Sequence, residues 1–95
     1  MLYMSPGVRE KLRKRQITEA HVLQCFANRS GKYLIDDREE HKTTPPTKWF
    51  VASTDFGIIL KVCFIFDPDS NLIEIKTAYP ATPVVAAMYK KKATH

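Results

Sequence analysis

The chain has 95 residues and a net charge of +5, from 15 Lys and Arg against 10 Asp and Glu. That length provides for one hydrophobic core and excludes two, so residues 1–95 are expected to form a single domain. A hydrophobic content of 44% excludes global disorder. No apolar run reaches the roughly 18 residues of a membrane span, and the opening MLYMSP lacks the apolar centre of a signal peptide. We therefore expect a soluble, cytoplasmic protein that makes no membrane contact.

The charges are unevenly distributed along the chain. Arginines and lysines crowd residues 9–15 and end the chain at Lys90 to Lys92, while an acidic segment, DDREE, lies between them. Two basic ends favour an anionic partner such as a nucleic acid or an acidic protein. Solvated helix faces explain the same pattern equally well, so both interpretations stay open.

The residue types that bind metals and cofactors are poorly arranged here. Cys25 and Cys63 each fall in an apolar stretch, which is typical of buried thiols in a reducing compartment. His21, His41 and His95 have no ligand spacing, and the chain has only three glycines, too few for a phosphate-binding loop. We expect neither a metal nor a cofactor.

Two helices are predicted at the start of the chain. Ser5 and the proline after it are typical of a helix N-terminus, and this first helix runs to about Lys14. Thr18 caps a second helix, with Val22 and Phe26 on its buried side, which ends at the sequence NRSG.

The strands follow. Residues 32–36 are predicted as an edge strand, and residues 37–47, which are charged and then rich in Thr and Pro, as a loop. Residues 49–54 form the next strand. Residues 58–66 are apolar on both sides, which is typical of a central strand. The last strand alternates, and its pattern predicts that Ile73, Ile75 and Thr77 face one way and Ala78 the other.

Thr82 and Pro83 repeat the cap-and-proline start and open a C-terminal helix that is expected to bury Val84 or Val85 with Met88. The predicted fold is therefore α+β: two N-terminal helices, a four-stranded antiparallel sheet in meander order, and a C-terminal helix. Whether Lys61 and Lys76 share a face depends on strand register, which the sequence leaves open.

Several stretches together resemble the BrnT family of toxins, within the RelE-like ribonuclease superfamily. LRKRQITEAHVLQCF is similar to the family's L-x-K-H-G-[IV]-[ST]-x-x-x-[AV]-x-x-x-F, with Arg15-Gln16 in place of His-Gly. KWFVASTDFGIILKVCF is similar to R-[WF]-x-x-[IL]-G-x-[ST]-x-x-G-R-x-L-x-V. IEIKTAYPATPVVAAMYK is similar to I-R-I-I-S-A-R-x-A-[ST]-x-x-E-x-x-x-Y, and Asp36 or Asp37 with His41 resembles the family's Asp and His pair. The resemblance covers roughly residues 11 to 90.

The resemblance implies a small bacterial toxin that acts as a metal-free ribonuclease on free or ribosome-associated mRNA and is neutralised by an antitoxin protein. His41 is the natural acid or base because its ordinary pKa lies near neutrality. Lys48 and Lys61 could offset phosphate charge, and Tyr79 could act as an acid or stack on a base. These four are the predicted catalytic residues. Lys48 and Tyr79 stand where the family has arginine.

The predicted RNA-binding residues are basic, apart from one tyrosine: Arg9, Arg13, Lys14, Lys76 and Tyr89. The alternative is a non-catalytic module that binds nucleic acid or protein on the same fold. A second copy of the chain is a further candidate partner. Lys61 is the most informative residue of all, because an ammonium inside the apolar run GIILKVCFIF costs free energy unless it meets water, a partner or a ligand.

Overall fold

A computed structural model describes residues 2–36 and 44–93. Its elements, in chain order, are β1 (Leu2–Met4), α1 (Pro6–Lys14), α2 (Glu19–Asn28), β2 (Leu34–Ile35), β3 (Thr47–Ser53), β4 (Ile59–Asp67), β5 (Leu72–Pro80) and α3 (Pro83–Ala93). The strands form one sheet in the order β1-β5-β4-β3-β2. Strands β2 to β5 are antiparallel neighbours, whereas β1 runs parallel to β5.

The hydrogen bonds at the ends of α1 and α2 follow from the local sequence. The Ser5 hydroxyl accepts a hydrogen bond from the Val8 amide at 3.2 Å, which caps α1. At the other end Gln16 adopts a left-handed conformation with φ of 60°. The Gln16 and Ile17 amides then donate to the last carbonyls of α1, which ends the helix in a Schellman-type turn. Thr18 caps α2 immediately afterwards.

The α1/α2 face of the sheet holds the apolar core. Phe50 of β3 and Phe64 of β4 are almost completely buried, and the Phe26 ring of α2 lies 4.7 Å and 5.3 Å from their ring centres. The Cys25 thiol donates to the Ala52 carbonyl at 3.5 Å. Neither cysteine forms a disulfide, and both are buried. This packing fixes which face of each strand points away from α1 and α2.

The opposite side, which we call the α3 face, carries the alternate residues of the same strands: Trp49, Val51, Lys61, Cys63, Thr77 and Tyr79. Helix α3 packs there over β3 through Tyr89, whose ring centre lies 5.6 Å from that of Trp49. The end of α3 is held by the preceding loop, since the Lys32 amide donates to the Ala93 carbonyl at 3.3 Å.

A β-bulge in β5 changes the predicted direction of its side chains. Cys63 pairs with Thr77, but the next residue of β4, Phe64, pairs with Ile75, so Lys76 is an extra residue in β5. The alternation predicted from sequence is therefore wrong beyond Ile75. Ala78, not Thr77, shares the buried side with Ile75, and both are completely inaccessible to solvent.

The α+β class and the three helices are confirmed, but the sheet differs in detail from the four-stranded antiparallel meander. A fifth strand, β1, joins it in parallel, and the predicted edge strand at 32–36 shrinks to two residues. In α3, Val85 is partly buried against the core as predicted. Val84 is 77% exposed and Met88 40%, and Tyr89 and Ala93 are the buried residues of this helix. Strand β1 was not predicted because a short parallel strand is not joined to its neighbour by a hairpin turn that could be recognised in the sequence.

Candidate functional site

Lys61 lies at the centre of a group of aromatic and cationic side chains on the α3 face. It pairs across the sheet with Val51 on one side and with Tyr79 on the other. Its ammonium nitrogen lies 4.6 Å from the centre of the Trp49 ring and 5.8 Å from that of Tyr79. Both distances are within the range of cation–π attraction. Lys61 is thus partly exposed to solvent and has two aromatic partners, which explains how an ammonium is tolerated in an apolar strand.

The Trp49 ring is positioned from behind by α3. Tyr89 packs against it and donates its phenol hydrogen to the Lys32 carbonyl at 2.7 Å. Burial raises the pKa of Tyr89, an effect that the nearby Arg29 cation opposes. Only 6% of Tyr89 is exposed. The predicted RNA-binding residue Tyr89 therefore occupies a packing position that holds Trp49, and its ring is not available as a contact surface.

A cavity of about 240 Å³ opens beside Lys61, towards β2 and α3. Trp49 and Lys61 line one side of it, and Asp36, Met88 and Lys92 line the rest with the two residues of β2. Asp36 is only 7% exposed, and its amide donates to the Thr47 carbonyl at 2.8 Å. The cavity thus combines one carboxylate with two ammonium groups, and the Asp36 carboxylate makes its end near β2 less attractive to anions.

Tyr79 is reached by a residue that the sequence did not single out. The Arg15 side chain extends from the C-terminus of α1 past the end of β1, where it donates to the Thr77 hydroxyl at 3.1 Å and to the Ala78 carbonyl at 2.9 Å. Its guanidinium carbon lies 5.8 Å from the centre of the Tyr79 ring. Arg15 stands in the first of the resembling motifs, but the sequence does not predict its contact with Tyr79, because that contact depends on the tight turn at Gln16.

Of the predicted catalytic residues, Lys61 and Tyr79 are brought together. Lys48 shares its side of β3 with Phe50, so it lies on the α1/α2 face of the sheet, away from both. Lys61 shares a face with its cross-strand partner Val51. Side chains alternate between the two faces along a strand, so Lys48, three residues before Val51, points to the opposite face. His41, with Asp37, lies outside the described residues.

The predicted RNA-binding residues are spread over the molecule. Arg9 forms an ion pair with Glu19 at 3.9 Å and Arg13 with Glu10 at 2.6 Å, both at the surface of α1 and α2. The Glu10 carboxylate raises the pKa of Arg13, and Arg13 lowers that of Glu10. Lys14, in the last turn of α1, is exposed.

Lys76, the extra residue of the bulge, pairs with Glu74 at 3.6 Å. Glu74 faces Ile65 across the sheet on the α3 side, so Lys76 and Lys61 share that face. This settles the register question that the sequence left open. The basic residues of α1 and the basic residues of the α3 face therefore form two separate surfaces, with Arg15 between them.

Within residues 2–36 and 44–93, no group of three or more His, Cys, Asp or Glu side chains is arranged to hold a metal ion. In the same residues, no helix is long and apolar enough to cross a bilayer. The chemistry that the described part of the site offers is that of fixed cations, one accessible phenol and aromatic faces.

Comparison with known proteins adds no identification. No family model, no curated protein and no solved structure matches this chain.

Proposed function

We propose that this protein binds single-stranded RNA on the α3 face and cleaves it without a metal ion, as a small toxin of the BrnT-like kind. The observation that carries the proposal is the convergence of Lys61, Trp49 and Tyr79. Proteins that bind single strands combine cations for the phosphates with aromatic rings on which bases stack. Tyr79 is partly exposed and can offer its face to a base.

The cleavage step needs a group to remove the ribose 2′ proton, a charge to stabilise the phosphorane, and a group to protonate the leaving oxygen. In the proposed reaction the 2′ hydroxyl gives its proton to water as the 2′ oxygen attacks the adjacent phosphorus, and the bond from phosphorus to the 5′ oxygen breaks, giving a cyclic phosphate and a 5′ hydroxyl. Lys61 supplies the fixed positive charge, and Tyr79 gives its phenol proton to the departing oxygen. General acid–base transfer of this kind is worth about 10²–10⁴ in rate.

A direct test measures binding of a fluorescent single-stranded RNA at several salt concentrations. We expect Lys61→Met to weaken binding about tenfold, whereas Lys32→Met, which removes the same charge from an exposed lysine in the loop before β2, should change it less than twofold. The affinity should fall steeply with salt, because phosphate contacts release counterions. Affinity independent of salt, or equal losses in the two variants, would remove the RNA proposal.

Lys48→Met tests the earlier expectation from sequence. Because Lys48 lies on the α1/α2 face, its loss should resemble that of Lys32→Met. A loss of affinity or cleavage as large as that of Lys61→Met would return Lys48 to the catalytic set and place the site elsewhere.

Catalysis is tested separately, with RNA incubated in the presence of a chelator and its fragments resolved on a gel. Tyr79→Phe keeps the ring and removes the phenol, so cleavage should fall by at least a hundredfold while binding changes less than threefold. Expression in a bacterial host should arrest growth, and Lys61→Met should relieve the arrest. An antitoxin partner would protect the host in the same assay.

The second candidate function is a non-catalytic RNA-binding module. The position of Lys48 favours it, since one of the predicted catalytic cations lies on the wrong face. RNA that is bound tightly by the native protein but remains intact, with normal growth of the expressing host, would establish this alternative.

A further inference from the structure

Arg15 lies at the end of α1, but its side chain binds a distant strand. It is the C-cap of α1, and the left-handed Gln16 that follows turns the backbone sharply away. The side chain leaves the helix and bonds to β5, 62 and 63 residues further along the chain. Strand β1 pairs with β5 only at 73–75, so Arg15 reaches the part of β5 that β1 leaves uncovered.

The guanidinium is anchored through one of its nitrogens. Nη1 donates to the Thr77 hydroxyl and to the Ala78 carbonyl, at 3.1 Å and 2.9 Å. A guanidinium has five N–H donors in a rigid plane. In the part of the chain that the structure describes, Nε and Nη2 of Arg15 have no hydrogen-bond partner, and no carboxylate forms an ion pair with it. Arg15 is therefore held in place while most of its donors remain available.

Tyr79 connects this arginine to Lys61. The Arg15 guanidinium carbon and the Lys61 ammonium nitrogen each lie 5.8 Å from the centre of the Tyr79 ring. Neither cation is paired with a carboxylate among the described residues. Asp36 lies on the other side of Lys61, in the cavity towards β2, so an anion is favoured on the side of Tyr79.

We propose that Arg15 and Lys61 together bind one phosphate of the RNA above Tyr79, and that Thr77 is a positioning residue that fixes Arg15. This inference rests on the proposed RNA-binding function. Planar guanidinium groups bind phosphate through two parallel hydrogen bonds, for which Nε and Nη2 are suited. Lys61 adds a point charge from the neighbouring strand. Arg15 thereby supplies a guanidinium beside Tyr79.

The test measures RNA affinity across a salt series for Arg15→Gln, with Lys11→Gln as the control that removes the same charge from an exposed position of the same helix. We expect Arg15→Gln to weaken binding about tenfold and to reduce the salt slope by less than about 0.7, the value for one phosphate of a single strand, because Lys61 still contacts that phosphate. Lys11→Gln should change the affinity less than twofold. Equal effects of the two variants would overturn the proposal.

A shared phosphate makes a further prediction for the double variant of Arg15 and Lys61. Two cations that act on one phosphate are coupled, so the double variant should lose clearly less affinity than the product of the single losses. Fully multiplicative losses would mean separate phosphates and would overturn the shared site. Thr77→Val should weaken binding severalfold with an unchanged salt slope, since the charges remain, and Arg15→Lys should recover only part of the loss.

Inorganic pyrophosphate distinguishes failure of this inference from failure of the RNA proposal. Its binding is followed by the NMR resonance of the Arg15 Nε–H group, assigned by its absence in the folded Arg15→Lys variant. A shift that Lys61→Met abolishes supports the anion site, even if RNA does not bind. Loss of RNA affinity in Lys61→Met without any loss in Arg15→Gln rejects the role of Arg15 and leaves the RNA proposal standing.

Discussion

The two faces of the sheet are built from the same strands but carry opposite kinds of side chain. On the α1/α2 face, Phe50 and Phe64 are buried against α2. On the α3 face, the neighbouring positions hold Lys61, Tyr79 and a tryptophan in contact with the ammonium. Because side chains alternate along a strand, the residues of the α1/α2 face stabilise the fold, and those of the α3 face leave charge and aromatic surface for a ligand.

Adjacent residues show the contrast most clearly. Phe50 is completely buried among aromatic rings, whereas Trp49, which is nearly as buried at 8% exposure, packs between Tyr89 and the Lys61 ammonium. Trp49 therefore contacts a charged group, whereas the ring contacts of Phe50 are all with other aromatic side chains. Substitutions on the two faces should accordingly differ in what they damage.

The largest effect is expected for Phe50→Ala. Its ring packs against Phe26, Tyr33 and Phe64, so truncation leaves a cavity and should reduce the free energy of unfolding by about 3–5 kcal/mol. Tyr79→Ala, on the α3 face, should cost less than half as much because Tyr79 is partly exposed. Urea unfolding followed by circular dichroism measures both. Equal losses would show that the two faces do not differ in their contribution to stability.

The attachment of α3 to its face is tested next, by Gly31→Ala. A Cβ at Gly31 would lie 2.8 Å from both the Ala93 Cβ and the Tyr89 hydroxyl oxygen, so the end of α3 must move. We expect a loss of about 1–3 kcal/mol, the usual cost of overpacking. Because Tyr89 holds Trp49, tryptophan fluorescence should shift to longer wavelength in the folded variant.

Gly7→Ala is the matched control for that experiment. A Cβ at Gly7 meets no atom within 4 Å, and alanine is the better helix former. This variant should be equal to the native protein or more stable by up to about 1 kcal/mol, with unchanged fluorescence. A fluorescence shift in Gly7→Ala, or none in Gly31→Ala, would contradict the docking of α3 through Gly31.

The sequence predicted most of the elements because their signals are local. The caps at Ser5 and Thr18 lie three residues from the amides they accept from, so they are visible without knowledge of the fold. The central position of β4 followed from its apolar run. The parallel strand β1 was missed because its pairing with β5 joins residues about 70 positions apart, and three residues carry too little pattern of their own.

The site was harder to predict than the fold, since it depends on register. Lys61 and Tyr79 were selected for their chemistry, but only the pairing of β4 with β5 brings them together. The bulge at Lys76 reversed the predicted directions of Thr77 and Ala78, because one extra residue exchanges the two faces. Arg15 could not be found from sequence, because its contacts lie more than 60 residues away.

A smaller effect is expected from alkaline pH acting on Cys25, on the α1/α2 face. Burial, and secondarily the charge of Asp55, raises the pKa of this thiol from 9.0 to about 11. In the unfolded chain the thiol ionises near pH 9, while in the folded protein it stays neutral. The stability that Cys25 contributes is thus intact below pH 9 and is lost as the pH rises from about 9 to about 11.

At pH 10 the loss should be roughly 1 kcal/mol relative to pH 7.5, since one pKa unit corresponds to about 1.4 kcal/mol. Cys25→Ala should be less stable at neutral pH, as it leaves a small cavity, but should lose less on going to pH 10. Urea unfolding at the two pH values measures the difference. Other alkaline ionisations, including that of Tyr89, occur in both proteins and cancel. Parallel losses would show that Cys25 does not retain its proton.

The smallest effect on stability is expected for Lys61→Met, the variant with the largest expected effect on RNA binding. Methionine has a similar length and fills the same space over Trp49, so the variant exchanges a cation–π contact of about 0.5–2 kcal/mol for apolar burial. The net change in the free energy of unfolding should therefore be within about 1 kcal/mol. A loss of 3 kcal/mol or more would mean that the ammonium stabilises the sheet itself. Weak RNA binding by the variant would then be explained by unfolding, and the difference between the two faces would no longer support a ligand at Lys61.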